Sequence, residues 1–380
     1  MRSGPPTPHP RSAFLHLPVS GLPASAGAKS LGDSSWHSGG LNRPNKQVAD
    51  CVRSGVHPVE IFQFIPLRNP KTTGRLLSPF KYTRHGAVFD LEDSFWVPGI
   101  PQQSQELKIR AREHIIRFCA EAADRHRGIR VGVRVNPVGS DCFRLDLDVV
   151  KVLREWLALE FLILPKVEEG GEVAACLAEL AKEGVTGVGI VPIVESRAAF
   201  ERIDRILAAC RESAVRSVIY GHHDYSLDAG HWPVSGVDSS QYWEIIGFIL
   251  GKIEQAGLNY IHPPIPALND VTLLRKVLGR LRFLASRELS ILSAGPSQTS
   301  VLVSLLRESA TAAEVLLPLP KSLLTGPEKR QLAGEVKGLF ESNKRSNLSF
   351  AADARTGRFI SPHEYLAALR YLGACDRNDA

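Results

Sequence analysis

The sequence predicts an α/β fold: a single TIM (β/α)8 barrel, residues 58–310, with a C-terminal helical extension, residues 311–380, and a disordered N-terminal tail, residues 1–57. Three observations carry this. Eight short runs rich in β-branched and aromatic residues recur along the chain. Longer stretches with apolar residues three and four apart lie between them, as helices require. The eight repeats fit into roughly 250 residues, the size of one barrel, whereas a doubly wound sheet does not need so many.

Residues 1–57 are rich in Pro, Ser and Gly and lack a periodic apolar pattern, so they bury too little surface to offset the entropy of ordering. The early arginines and serines, with no acid before Asp33, hint at a targeting peptide. Prolines at 5, 6, 8, 10, 18 and 23 oppose the amphipathic helix such a peptide needs. The segment therefore reads as a tail.

The strands are expected at Ile61–Leu67, Ala87–Asp93, Val131–Pro137, Phe161–Val167, Gly189–Glu195, Ser217–Asp224, Leu258–Pro264 and Leu289–Gly295. Helices are expected at Ser104–Arg127, Asp146–Trp156, Gly171–Glu183, Arg197–Arg211, Ser239–Gln255 and Asp270–Ala285. Tyr242, Trp243 and Phe248 follow helical spacing and read as core. Beyond the barrel, Gly326-Pro327 breaks the chain ahead of a charged helix, Glu328–Asn343, and a last helix starts near Pro362. The extension is too small for a core of its own and is expected to pack outside the barrel or against a neighbouring subunit.

Composition narrows the function. Lys and Arg number 46 against 40 Asp and Glu, a net charge of +6. Residues 1–57 hold six bases and two acids, so +4 of that excess lies in the tail and the remainder is nearly neutral. No nucleic-acid partner is expected. Six scattered cysteines, without a C-x-x-C pair, suit free thiols in a reducing, cytoplasmic setting. No run approaches the roughly 18 apolar residues that span a bilayer.

Barrel chemistry sits where strands end. Here strand two ends Asp90-Leu91-Glu92-Asp93-Ser94, strand three Arg134-Val135-Asn136, strand four Lys166-Val167-Glu168, strand five Glu195-Ser196 and strand six His222-His223-Asp224. One such charge is ordinarily a rim salt bridge, but five consecutive strands ending this way gather repelling carboxylates that a cation must balance. Glu195 and Asp224 are the expected ligands of Mg2+, each giving an oxygen and leaving positions open for a chelating substrate. Arg134 offers a planar fork to a substrate carboxylate and to the negative oxygen of an enolate. Glu92 and Asp93 are expected beside the metal waters or in proton transfer. Lys166 reads as part of the charge network rather than a Schiff base. His222, two residues before Asp224, shares its face if strand six is regular.

Asp90–Ser94, Lys108-x-x-Ala111-Arg112, Val133–Asn136, Leu164–Glu168, Ile193–Ser196 and Gly221-x-x-Asp224 come in the order and spacing of the citrate lyase β-subunit family. That family includes malyl-CoA lyase-like enzymes and is related to the metal-dependent HpcH/HpaI aldolases. The resemblance covers about Ile61 to Gly373. It implies a TIM barrel in which Glu195 and Asp224 bind Mg2+, Arg134 binds the oxo acid and stabilises its enolate, and Glu92 and Asp93 flank the metal. It also implies a homo-oligomer, trimer or hexamer, whose C-terminal segment reaches over a neighbour's site.

Two departures bear on the activity. Where the family carries an acid/base aspartate in a Gly-x-x-Ile-Asp-x-Pro setting, this chain reads Gly357-Arg358-Phe359-Ile360-Ser361-Pro362. A serine cannot exchange protons as a carboxylate does. His363, Glu364 or Asp353 is the available substitute, although Ser361 with Glu364 also spells a capping box. After strand eight, the family's His-Pro-x-Gln is Gly295-Pro296-Ser297-Gln298 here, which puts thioester substrates in question. The expected function is a carbon–carbon lyase or aldolase acting on a small 2-oxo or 3-hydroxy acid, free or as a CoA thioester. The alternative is a catalytically impaired barrel that serves as a ligand-binding or scaffold subunit.

Overall fold

The computed structural model describes residues 59–67, 69–213, 215–234, 236–237, 239–308, 324–342, 350–353 and 358–378. The N-terminal tail lies outside them.

Eight parallel strands close into a barrel in chain order: β1 (Val59–Ile65), β2 (Gly86–Asp90), β3 (Arg130–Arg134), β4 (Ala158–Leu164), β5 (Gly189–Val194), β6 (Ser217–Tyr220), β7 (Asn259–His262) and β8 (Leu289–Ser293), with β8 paired to β1. The strands are buried on both faces, as expected when helices cover a parallel sheet. Inside, Phe62, Val88, Phe161, Ile163, Val191, Ile193, Ile219, Ile261 and Leu292 fill the barrel. Phe62 and Phe161 meet edge to face, with ring centroids 4.9 Å apart. Their bulk is accommodated by Gly86 and Gly132. A Cβ at Gly132 would lie 2.2 Å from the Phe161 ring.

The outer layer consists of α1 (Pro70–Leu77), α2 (Pro101–Ala122), α3 (Asp141–Trp156), α4 (Gly170–Lys182), α5 (Arg197–Glu201), α6 (Ile203–Arg211), α7 (His222–Asp228), α8 (Ser240–Gln255), α9 (Val271–Leu284) and α10 (Pro296–Leu305). Several begin on a polar side chain that satisfies an orphan N–H of the first turn. Ser140 accepts from Phe143 N–H at 3.1 Å, Ser196 from Ala199 N–H at 3.1 Å, Ser239 from Tyr242 N–H at 3.2 Å and Asp270 from Leu273 N–H at 2.9 Å. Glu169 and Glu172 form a full capping box on α4.

Lys108 and Arg112 on α2 tie this layer to the strands. Arg112 Nε donates to Asp146 at 2.7 Å, Asp146 accepts from the Asn136 backbone and side chain, and Lys108 Nζ donates to Asn136 at 2.5 Å. Asn136 in turn donates to the Leu91 carbonyl at 2.9 Å. The loops after β2 and β3 are thereby locked together. At the opposite pole, Arg130 bridges Glu60 and Glu160. A cavity of about 220 Å3 opens there, among Glu60, Glu160, Arg216 and Glu288, away from the functional strand ends.

Strand positions follow the expected order, but most strands stop short. β2 ends at Asp90 rather than Asp93, and β6 at Tyr220 rather than Asp224. The carboxylates therefore sit on loops and helix starts that turn over the barrel mouth. Sequence periodicity merges α5 and α6 into one helix; the structure breaks them at Arg202. Phe248 is 41% exposed and stacks on Phe200, so it is surface rather than core, whereas Tyr242 and Trp243 are buried.

The C-terminal part comprises α11 (Gly326–Ser342), a hairpin of β9 (Ala351–Asp353) and β10 (Arg358–Ile360), and α12 (Pro362–Asn378). Ala333, Val336, Phe340, Ala351, Ile360, Tyr365 and Ala368 make a small cluster, with Phe340 stacked on Tyr365 at 4.4 Å. The cluster is anchored to the barrel. Trp232 Nε1 donates to Lys329 O at 3.0 Å, Phe359 N–H to Pro266 O at 3.0 Å and Arg370 Nη1 to Leu227 O at 2.9 Å. Among the described residues Cys119, Cys142, Cys176 and Cys210 are free thiols, and no helix is long and apolar enough to cross a membrane.

Candidate active site

Asp90 ends β2 and opens a tight turn, its carboxylate accepting from Glu92 N–H and Ser94 N–H, each at 3.0 Å. This turn sends Glu92 and Asp93 inward over the mouth, where both are buried. Arg134, at the end of β3, meets all three acids. Its Nε and Nη2 hold Asp90 bidentately at 2.8 and 2.5 Å, and Nη1 reaches Asp93 at 2.9 Å and Glu92 at 3.5 Å. The fork expected for a substrate carboxylate is thus occupied by Asp90. Asp90 takes the Nε–Nη2 edge and leaves the outer Nη edge to other partners.

Lys166, after β4, has φ +57°, the left-handed region that a side chain rarely adopts and that costs on the order of 1–3 kcal/mol. The conformation aims its N–H at Glu195 Oε1, at 2.7 Å, and swings its ammonium onto Asp224, with Glu195 3.5 Å away. Glu195 itself packs against Gly221, where a Cβ would lie 2.6 Å from both the Glu195 Cβ and Oε2. Glycine at 221 is what lets β5 deliver this carboxylate beside Asp224.

Asp224 sits in the first turn of α7, not on a strand. His222 therefore does not share its face: His222 turns into the core, 5.4 Å from the Tyr242 ring, while Asp224 faces the site. The C-terminal segment completes the arrangement. His363 Nε2 lies 2.9 Å from Asp224 Oδ1, and its ring rests on Trp96 at 4.8 Å. Ser361 caps α12 by accepting from Glu364 N–H at 3.1 Å and contacts His223 Nδ1 at 3.0 Å. The Glu364 carboxylate pairs with Arg358. The Asp353 side chain is outside the described part. The resemblance implied a C-terminal segment over a neighbour's site; here Ser361 and His363 lie over the mouth of their own barrel. Gln298, from the second departure, is buried and staples the loops after β7 and β8, donating to Ile265 O at 2.7 Å and Ala267 O at 2.6 Å.

The five acids Asp90, Glu92, Asp93, Glu195 and Asp224 face two fixed bases, Arg134 and Lys166, in a largely dry setting. Burial and the neighbouring Asp93 push the Glu92 carboxyl well above the usual carboxylate range. Burial and Asp224 push Glu195 up to about 7. Burial acts the same way on Asp93 and Asp224, but Arg134 and His363 overcome it at Asp93, and His363 chiefly does so at Asp224, so both remain ionised below the ordinary range. Burial would lower His363, yet Asp224 and Asp93 hold it above its ordinary value.

A divalent cation fits these residues. Asp93, Asp224 and His363 present ligand atoms all within 4.8 Å of one another, and Glu92 Oε2 is buried without a hydrogen bond. Asp93 and Asp224, both kept ionised, supply anionic oxygens for such an ion. Glu195, the other expected ligand, lies across Lys166 from this trio.

The raised Glu195 value fixes a pH dependence. Between the ordinary value of 4.5 and about 7 the native carboxyl holds a proton that the unfolded chain releases, so stability falls as pH rises through that window. His363, raised above 6.5, acts in the same direction. In chelator, Glu195→Gln is expected to remove this contribution, so that between pH 4.5 and about 7 the thermal midpoint of the variant falls less, or rises more, than that of the unmodified protein. Equal slopes for both proteins would contradict this.

A model of the HpcH/HpaI aldolase/citrate lyase family matches residues 62–260, more than half of the chain. The chain belongs to this family. Among solved structures, Haloferax volcanii malate synthase, a ternary complex with pyruvate and acetyl-CoA, is similar with a TM-score of 0.61 at 16% identity, covering 83% of this chain and 90% of that one. A citrate lyase from Burkholderia xenovorans LB400 gives a TM-score of 0.51 at 15% identity, covering 87% and 95%. The citrate lyase beta subunit of Mycobacterium tuberculosis, complexed with oxaloacetate and magnesium, gives 0.47 at 18% identity, covering 68% and 100%. At these identities the likeness is one of fold. No curated protein sequence matches the chain.

Asp90, His223 and Trp96 were not anticipated as parts of the site. Asp90 and His223 stand in the charged runs after strands two and six, but their partners are remote in sequence: Arg134 lies 44 positions from Asp90, and Ser361 138 from His223.

Proposed function

We propose that this HpcH/HpaI family barrel is a divalent-cation-dependent carbon–carbon lyase or aldolase acting on a small 2-oxo or 3-hydroxy acid, free or as a CoA thioester. The single observation that carries this reading is the convergence of Asp224, Glu195, Asp93 and Arg134 from separate strand ends onto one mouth. A divalent cation held by Asp224, with Glu195 or Asp93 beside it, supplies Lewis-acid polarisation of the carbonyl next to the bond that breaks. Mg2+ is the family-level expectation.

In cleavage, the substrate hydroxyl loses a proton, the carbon–carbon bond breaks, and its electron pair becomes that of an enolate. A proton returned to carbon completes the product, and condensation is the reverse. Arg134, charged at any working pH, steadies the developing negative oxygen through its outer Nη edge. Glu92, held protonated by burial and by Asp93, keeps a proton available at its carboxyl. Asp93 fixes Arg134 against the mouth, and Lys166 keeps Asp224 and Glu195 together. All these groups come from one chain, so assembly into a trimer or hexamer, which the resemblance implies, is not needed to supply a missing side chain.

The scaffold reading is favoured by Ser361, which replaces a carboxylate and is already committed to α12 and His223. The two readings part in heavy water. With Mg2+ or Mn2+ and a panel of oxo acids, solvent deuterium is expected to enter the carbon beside the carbonyl, and chelator is expected to stop it. Ligand binding without any exchange would instead support the scaffold.

A further inference from the structure

We propose that Asp93, Asp224 and His363 form a mixed carboxylate and imidazole cation site, and that the His363 nitrogen turns the chain's preference from magnesium toward a first-row transition ion such as Mn2+ or Co2+. The inference deepens the function proposed above, sharing its cation position, and adds a ligand from the C-terminal segment.

The three residues come from the turn after β2, the first turn of α7 and the start of α12, yet their donor atoms gather within 4.8 Å. The imidazole is held in place rather than free to swing. Its ring lies on Trp96 at 4.8 Å, its Nε2 points at Asp224 Oδ1, and it is only 7% exposed. Pro362 and the Ser361 cap fix the start of the helix that carries it. Beside Asp93, Glu92 Oε2 is buried without a hydrogen bond, Arg134 Nη1 being 3.5 Å away. A buried carboxyl oxygen left without a hydrogen bond is open to a further polar partner.

Donor chemistry decides the ion. Mg2+ takes oxygen ligands and keeps its waters, whereas imidazole nitrogen suits Mn2+ through Zn2+. The competing arrangement has His363 behind Asp224, only orienting it.

The test uses the full chain with Mn2+, Co2+ or Mg2+ alone. Pulsed electron paramagnetic resonance of bound Mn2+ is expected to show nitrogen hyperfine coupling that disappears in His363→Gln, a change that keeps a hydrogen-bond donor toward Asp224. By titration, His363→Gln is expected to weaken Co2+ by about 10- to 100-fold while leaving Mg2+ within about threefold, a limit set by its weak use of nitrogen. Absence of nitrogen coupling in the unmodified chain, its persistence in the variant, or equal losses for Co2+ and Mg2+ would each overturn the assignment. The first of these needs no variant. Coupling present without any deuterium exchange sinks the lyase reading and leaves this site standing.

Discussion

Arg134→Ala is expected to destabilise the protein by about 3–5 kcal/mol, the usual consequence of stripping a buried charge of its partner. The magnitude follows from its contacts. A side chain only 12% exposed holds Asp90 bidentately and touches Asp93, so two buried carboxylates lose their counter-charge together. Urea denaturation reads the loss. Arg134→Lys separates stability from chemistry, because an ammonium restores the charge without the planar fork. It is expected to recover much of the stability, while deuterium exchange stays down by about 10²- to 10³-fold, the effect of losing one oxyanion donor. Full exchange in the lysine variant would remove Arg134 from the chemistry.

Asp224→Asn is expected to weaken divalent-cation binding by at least about 100-fold, since even residues that merely orient ligands give 10- to 100-fold. Asp224 joins the two halves of the site: its Oδ1 meets both the Lys166 ammonium and His363 Nε2. Calorimetry measures the affinity directly. In the unmodified protein an ion at about 100 times its Kd adds roughly 2.7 kcal/mol of stability, and at the same concentration this increment should fall to about 0.4 kcal/mol or less in the variant. An undiminished increment would place the ion elsewhere.

The barrel was legible because its signal is repetitive. Eight β-rich runs separated by helical periodicity leave little choice of architecture, and all eight strands close in order. Their ends were less legible. Periodicity continues the strand from Tyr220 into His222-His223-Asp224, but the chain turns into α7, and a helix start sends His222 and Asp224 to different places. Charge at the strand ends marked Glu92, Asp93, Arg134, Glu195 and Asp224 as neighbours, since carboxylates so placed must find a counter-charge. What that reasoning could not supply was the pairing. Arg134 closes its fork on Asp90, and Lys166 leaves ordinary backbone geometry to reach Asp224, because loops of unrelated sequence meet only in three dimensions. The Ser361 departure pointed to a substitute nearby, and the fold brings His363, two residues on, to Asp224.

The most direct measurement is anomalous diffraction from crystals grown with Mn2+ and pyruvate. A peak within bonding distance of Asp224, with the oxo acid chelating the ion and facing the outer edge of Arg134, is the expected result. A peak on the far side of the barrel, or pyruvate bound without contact to that ion, would contradict the shared cation site on which the proposed chemistry rests.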